Sequence, residues 1–271
     1  MGPDISSDTY THGHQEAVLR SHRWRTVDNS AAYLLGRLHA GLDLLDVGCG
    51  PGSLTIDLAQ RLRPGRVVGI DVSSEVVSEA AATAAAKGVP NVSFVVGDFR
   101  STVVDPTSFD VVHAHQVLQH LREPVEALVA MRRLARPNGI VVARDSDYSA
   151  MTWAPRSASL DRWLEIYLAV TRRNGAEADA GRWLLRWAHL AGFDDVRYTT
   201  STWTFATTTD KTWWSELWAE RTVRSSFAQQ AADYGIATTE EMATVAAGWR
   251  AWAAEPDAVF IVPHGEVIAE V

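Results

Sequence analysis

The residues of this 271-residue chain best placed to do chemistry are aspartates that close apolar runs, with glycines and an aromatic beside them. Residues 44 to 53 read LLDVGCGPGS, so Asp46 precedes a turn containing Gly48, Cys49, Gly50 and Gly52. Lacking Cβ atoms, the glycines let backbone N–H groups come close to a ligand at the start of a helix. A second run, RVVGID, ends in Asp71 and is followed by Val72. An acid at that distance from a glycine turn can accept two hydrogen bonds from ribose hydroxyls. A third run, VSFVVGD, brings Gly97 and Asp98 next to Phe99. There the acid can accept from the exocyclic amine of adenine while the ring covers the base. A glycine string alone is a weak signal. Its strength here is the ordered series of acids, which describes a site for an adenine nucleoside cofactor.

Those acids need a scaffold that brings the ends of several runs to one edge. The apolar runs 42–47, 66–71, 92–98, 109–115 and 139–145 read as buried parallel strands, with helices between them. After the glycine turn, Leu54, Leu58 and Leu62 recur at helical spacing, Ser53 is placed to cap the helix, and Pro64-Gly65 stops it. The expected fold is α/β and Rossmann-like, with ligand-binding turns at the strand C-termini.

At this point the chain resembles the class I S-adenosylmethionine-dependent methyltransferases, most closely their UbiE/Coq5-like small-molecule branch. The matching strings are LLDVGCGPGS (44–53), GIDVS (69–73), VVGDF (95–99), FDVVHAHQVLQHL (109–121) and LARPNGIVV (134–142). The resemblance implies a seven-stranded sheet whose last strand is antiparallel, carrying a helical, Trp-rich cap. It implies S-adenosylmethionine as cofactor, with Asp46, Gly48, Cys49 and Gly50 along the methionine and ribose, Asp71 and Val72 at the ribose and adenine edge, and Gly97, Asp98 and Phe99 around the adenine. Upstream, Arg25 is similar to the arginine that grips the methionine carboxylate in glycine N-methyltransferase-like enzymes, and a guanidinium fork matches a carboxylate bidentately. Tyr10 is expected to close over the cofactor. The turn QVLQHL resembles a Leu-His-His-Leu-type turn that sets a histidine beside the acceptor, although Gln119 stands where the first histidine would be. His120 is therefore the expected general base, with His115 second and nearer the cofactor.

Six of the nine histidines fall in two places, His12, His14 and His22 near the N-terminus and His113, His115 and His120 around the fourth strand. Their spacing matches no common zinc ligand set and no partner cysteines are present, so no metal is expected. The one cysteine, Cys49, allows no intramolecular disulfide and fits a reducing cytosol, and its small size suits the turn better than nucleophilic chemistry does. A net charge of −8 argues against a general nucleic-acid surface. No run reaches the roughly 18 apolar residues of a membrane span, and the expected location is cytoplasmic.

Three regions follow: residues 1–40 as a helical segment closing over the cofactor, 41–150 as the cofactor-binding core, and 151–271 as the rest of the sheet with an inserted helical acceptor-binding cap. Ten of the eleven tryptophans lie in the last region. Leu160, Trp163, Leu164, Tyr167 and Leu168 form one helical face, and Trp183, Trp187 and Leu190 are expected to continue it in a second helix. Most of these rings are expected to bind the cap to the sheet, and Trp153, Trp214 and Trp218 to meet the acceptor, an apolar or aromatic small molecule. Two other functions fit the same residues: a protein that transforms or merely holds S-adenosylmethionine, and a nicotinamide-dependent oxidoreductase, in which Asp98-Phe99 and the N-terminal arginines have no natural task.

Overall fold

The computed structural model describes residue 8, residue 11, residues 16–101 and residues 104–271. Tyr10, His12 and His14 lie outside these. Five parallel strands, β1 (Leu44–Val47), β2 (Val67–Asp71), β3 (Val92–Val96), β4 (Phe109–His115) and β5 (Ala135–Ser146), form the first part of the sheet. Helices α3 (Ser53–Leu62), α4 (Ser74–Ala86) and α5 (Pro124–Leu134) connect them, and α1 (Glu16–Arg23) and α2 (Val27–Ser30) precede them. Strand β8 (Val259–Glu270) runs antiparallel to β5 on one side and along the whole of β7 (Val196–Phe205) on the other. The strand order is β3-β2-β1-β4-β5-β8, with β7 on β8 and β6 (Thr152–Ala154) at the far end of the path.

The sheet therefore has eight strands rather than the expected seven. The extra one, β6, exists because β8 is twelve residues long and pairs with β5 only from His264 onward. That leaves Val259–Ile261 with an open edge, and the chain leaving β5 turns back to cover it.

Both faces of the sheet are buried, and neighbouring residues in each strand serve opposite faces. Leu45, Val68, Val112 and Val141 pack on one side with Leu184 and Met131. Leu44, Val67, Val111 and Ile140 pack on the other with Leu54, Leu58 and Leu62. A third cluster holds the cap, built from α6 (Ala158–Asn174), α8 (Thr208–Arg224), α9 (Ser226–Asp233) and α10 (Thr239–Ala254). At its centre Trp163 meets Trp218 edge-on at 4.5 Å and Trp249 at 5.0 Å. Such pairs contribute about 0.5–1.5 kcal/mol each beyond their burial.

Helix α7 (Ala180–Leu190) departs from its expected face. Trp183 is 40% exposed and Leu190 60% exposed, while Gly181, Leu184 and Ala188 turn inward. The reason is distance: a Cβ on Gly181 would lie 2.7 Å from the Asp145 carbonyl oxygen and 2.8 Å from the Gly265 nitrogen. The helix lies too close to strand backbone for a large side chain there. Ser53 also differs from expectation. Gly52, in the left-handed region, occupies the N-cap position of α3, and the Ser53 hydroxyl donates to the His22 carbonyl at 2.7 Å. It ties the end of α1 to the glycine turn instead of capping the helix.

From β1 the chain steps outward to β2 and β3, then returns to β4 on the other side of β1. Beyond the C-termini of β1 and β4 the two connections part, which opens a crevice where sheets of this kind bind ligands.

Candidate active site

A cavity of about 590 Å³ fills this crevice, a size that suits a small-molecule or cofactor site. Its floor is the glycine turn. Gly48 and Gly50 have φ of 65° and 53°, and a Cβ on Gly48 would lie 2.5 Å from a Val117 methyl. The turn is thus pressed between the next strand end and the cavity, where only glycine fits. Of the residues expected to hold a cofactor, Arg25, Asp46, Gly48, Cys49, Gly50, Asp71, Val72, Gly97, Asp98, Phe99 and His115 all line this one cavity, and so does His120.

The acids differ in how much acceptor capacity they leave. Asp71 takes the Gly50 N–H on Oδ2 and the Ser73 N–H on Oδ1, both at 3.0 Å. A carboxylate has about four lone-pair sites, so its outward ones remain for a ligand's hydroxyls. Asp46 is occupied: the Thr55 hydroxyl donates to Oδ2 at 2.5 Å and His113 Nδ1 lies 2.7 Å from Oδ1. It joins β1, α3 and β4 below the glycine turn. Asp98 is clasped by Arg100, whose Nη2 also reaches Asp8 at 2.8 Å. Burial would raise the Asp98 carboxyl, but the side-chain and backbone hydrogen bonds from Arg100 outweigh it and hold the group below its ordinary range. Burial, with Asp46 and Asp71 nearby, pushes the Cys49 thiol well up, so it stays protonated and is no nucleophile.

Three buried histidines, His115, His120 and His264, are held neutral. His120 stands in the 3₁₀ turn Leu118–His120. Its ring is pushed down to about 3, first by burial and then by Arg25 and Arg221. Gln119 fixes its state. The Gln119 carbonyl oxygen accepts from the Ser146 N–H at 3.2 Å, so its amide N–H faces His120 Nε2 at 3.1 Å and donates to that nitrogen's lone pair. A base with a pKa near 3 is weak, which moves His120 away from strong general-base chemistry and toward placement of the reacting groups. His115, buried between the His113 and His264 rings, is pushed well below its ordinary value by burial and by Arg25 and Arg144. Neither of its ring nitrogens has a hydrogen-bond partner among the described residues.

A second chamber, of about 30 Å³, adjoins the first on the cap side. Trp24, Trp203, Trp214 and Trp218 line it, and His22, Arg25, Gln116 and His120 line both spaces. Those four form the partition between them. Trp214 and Trp218, two of the residues expected to meet an acceptor, line this small chamber. Trp153 does not: it lines neither space and stacks on Phe260 at 5.5 Å and 9°, inside the cap core. In this structure it packs within the cap core, away from both spaces. Sequence reading missed Trp24, Trp203, His22 and Gln116 at this site. Trp24, Trp203 and His22 sit in no recurring motif, and Gln116 lies inside QVLQHL, where the resemblance marks Gln119 and His120 instead. The other signal was the clustering of Trp24 with Arg20, His22, Arg23 and Arg25 in one short stretch.

A sequence profile of the methyltransferase domain family matches residues 38–188, more than half of the chain. The chain belongs to this family. The methyltransferase is 28% identical over 267 residues to an uncharacterized methyltransferase of Schizosaccharomyces pombe, covering 96% of this chain and 95% of that protein. It is 28% identical over 290 residues to a protein of Aspergillus luteorubrus named as a probable methyltransferase, covering 99% of each. Among solved structures it is similar to a phosphoethanolamine N-methyltransferase of Haemonchus contortus, with a TM-score of 0.53 and 18% identity, over 89% of this chain and 51% of that one. The methyltransferase is S-adenosylmethionine-dependent, and its cavity fits that donor: Asp71 retains acceptor sites, and the glycine turn leaves backbone exposed where a side chain would intrude. Among the described residues no helix is long and apolar enough to cross a membrane.

Proposed function

We propose that the methyltransferase transfers a methyl group from S-adenosylmethionine to a small apolar or aromatic acceptor, as an enzyme of the UbiE/Coq5-like branch. The observation that carries this reading is the shared partition of His22, Arg25, Gln116 and His120, where a large polar-ended cavity meets a small aromatic chamber. Bound in the cavity, S-adenosylmethionine supplies an electrophilic sulfonium methyl. Asp71 would hold the ribose, Phe99 would cover the adenine with the Arg100-bound Asp98 beside it, and the backbone of Gly48 to Gly50 would meet the methionine. Arg25 would meet the donor carboxylate. Residues 1–40 act as the closing segment in this reading, supported by Leu19, His22 and Arg25 roofing the cavity, and the helices after residue 150 act as the acceptor cap.

The chain's own contribution is alignment and exclusion of water. Holding two reactants in line can supply about 7–11 kcal/mol, against about 3–5 kcal/mol for a positioned base. Incubating the protein with methyl-labelled S-adenosylmethionine and a panel of phenols, quinols and small acids should yield S-adenosylhomocysteine together with a labelled acceptor. A protein that binds the donor yet releases another breakdown product, or none, would show that the fold serves different chemistry.

His120→Ala is expected to lower kcat by roughly tenfold to a hundredfold, at or below the smallest contribution of a positioned proton acceptor, about a hundredfold. Donor affinity measured by calorimetry should stay within about threefold of wild type, a difference of under 1 kcal/mol. Lost donor binding in this variant would place His120 in the donor site instead.

A further inference from the structure

We infer that Gln116 is a positioning residue for the Arg25 guanidinium and, through it, for the carboxylate end of the methyl donor. The second half of the inference rests on the donor reading above.

Among the described residues only Thr107, Gln116 and Asn138 combine a side chain with a positive φ, and Gln116 has 55°. Thr107 and Asn138 occur where the chain enters β4 and β5, at the edge of the sheet away from the cavity. Gln116 alone sits at the cavity, as the first residue after β4, and lines both spaces. Left-handed backbone disfavours a long side chain, and glycine or asparagine would occupy it more readily. Strain of this kind, kept at a site wall, points to a side chain that is used.

The use is visible in the amide's three contacts. Arg25 Nη2 donates to Gln116 Oε1 at 2.5 Å. Gln116 Nε2 donates to the Ser146 hydroxyl at 2.7 Å and faces His264 Nε2 at 3.0 Å. Arginine only donates, so the atom facing it must be the oxygen, and the amide cannot be reversed. His264 Nε2 must then present its lone pair, which suits a ring that burial and nearby Arg144 and Arg25 keep neutral. The amide is anchored below by β5 and β8 and holds Arg25 from a fixed direction. Backbone strain aims the side chain, the amide's polarity orients the guanidinium, and the guanidinium stands in the partition between the two spaces.

The test uses the full-length protein and three variants. Gln116→Asn suits the left-handed backbone but is one methylene too short to reach Arg25. Gln116→Gly removes the arm while easing the backbone, and guards against an unforeseen packing fault in the asparagine variant. Arg25→Ala removes the positioned group. Each glutamine variant should raise the Kd for S-adenosylmethionine by about tenfold, with the unfolding midpoint held near that of wild type. Arg25→Ala should raise it at least as far. The double variant Gln116→Asn/Arg25→Ala should bind no worse than Arg25→Ala alone, because the glutamine acts only through the arginine. Additive losses in that cycle, or wild-type donor affinity in both glutamine variants while Arg25→Ala binds poorly, would overturn the inference and leave the donor reading standing. Wild-type affinity in Arg25→Ala would instead overturn the donor reading for Arg25, and the inference with it. A fallen unfolding midpoint with unchanged donor affinity would show a merely structural glutamine.

Discussion

Gly265→Ala is expected to lower the unfolding midpoint by roughly 10 °C, or to leave too little folded protein to purify. Gly265 lies in the middle of β8, paired with Asp145 of β5 on one side and Thr200 of β7 on the other. Above it sits the first turn of α7, and a Cβ at Gly265 would fall far inside van der Waals contact of the Gly181 carbonyl oxygen. The Gly181 carbonyl is backbone, so it cannot rotate aside, and the Tyr198 hydroxyl lies 2.8 Å from the same position. The strand cannot retreat without breaking pairing to two neighbours, and the helix cannot retreat without lifting Leu184 and Ala188 from the sheet core. Overpacking a rigid site costs about 1–3 kcal/mol and occasionally more, and this one lies at the upper end. In a domain of this size each kcal/mol moves the midpoint by about 2–4 °C. Gly36→Ala is the control, since a Cβ there meets nothing within 4 Å and its φ is ordinary. Circular-dichroism melts of the two variants should therefore differ widely. A Gly265→Ala protein melting within about 2 °C of wild type would show that α7 is free to move off the sheet.

The same close approach explains where sequence reading of the fold stopped. Strands β1, β2 and β4 were legible because a strand buried on both faces is a continuous apolar run bounded by glycine or charge. The face of α7 was not. Tryptophan normally marks the buried side, but the strand backbone leaves no room for a side chain at Gly181. Leu184 and Ala188 therefore turn inward beside it, Trp187 packs only partly buried at the flank, and Trp183 is turned outward. β6 was illegible for another reason: three residues carry no period, and it pairs only because β8 outruns β5.

The candidate site divides in the same way. Asp71, Asp98 and the glycine turn could be placed from sequence because parallel topology brings strand C-termini to one edge whatever the loops do. Gln116 and Trp203 reach the partition through a left-handed residue and a distant strand, neither of which leaves a local pattern. For His120 the position was readable but the proton was not. Its low basicity comes from burial and two arginines, each about a hundred residues away in sequence.

Asp71→Ala is expected to weaken S-adenosylmethionine binding by a hundredfold or more while leaving the fold intact. The carboxylate does two things at once. Its outward lone pairs are available to ribose hydroxyls, and hydrogen bonds to a charged acceptor contribute about 1.5–3 kcal/mol each. Its Oδ2 also accepts from the Gly50 N–H, which holds the glycine turn against the end of β2. Removing the group costs the ligand bonds and loosens the glycine turn proposed to meet the methionine, so about 3 kcal/mol, or a hundredfold in Kd, is the lower bound. Asp71→Asn separates the two effects. Its amide oxygen can still accept from Ser73, but the NH2 group then confronts the Gly50 N–H with a second donor. The asparagine variant should therefore lose nearly as much affinity as the alanine variant, although it is almost isosteric with the original. Stability should change little, because Asp71 is only partly buried and at the sheet edge. Calorimetric titration of both variants with S-adenosylmethionine decides the matter, and an alanine variant that binds like wild type would remove Asp71 from the donor site.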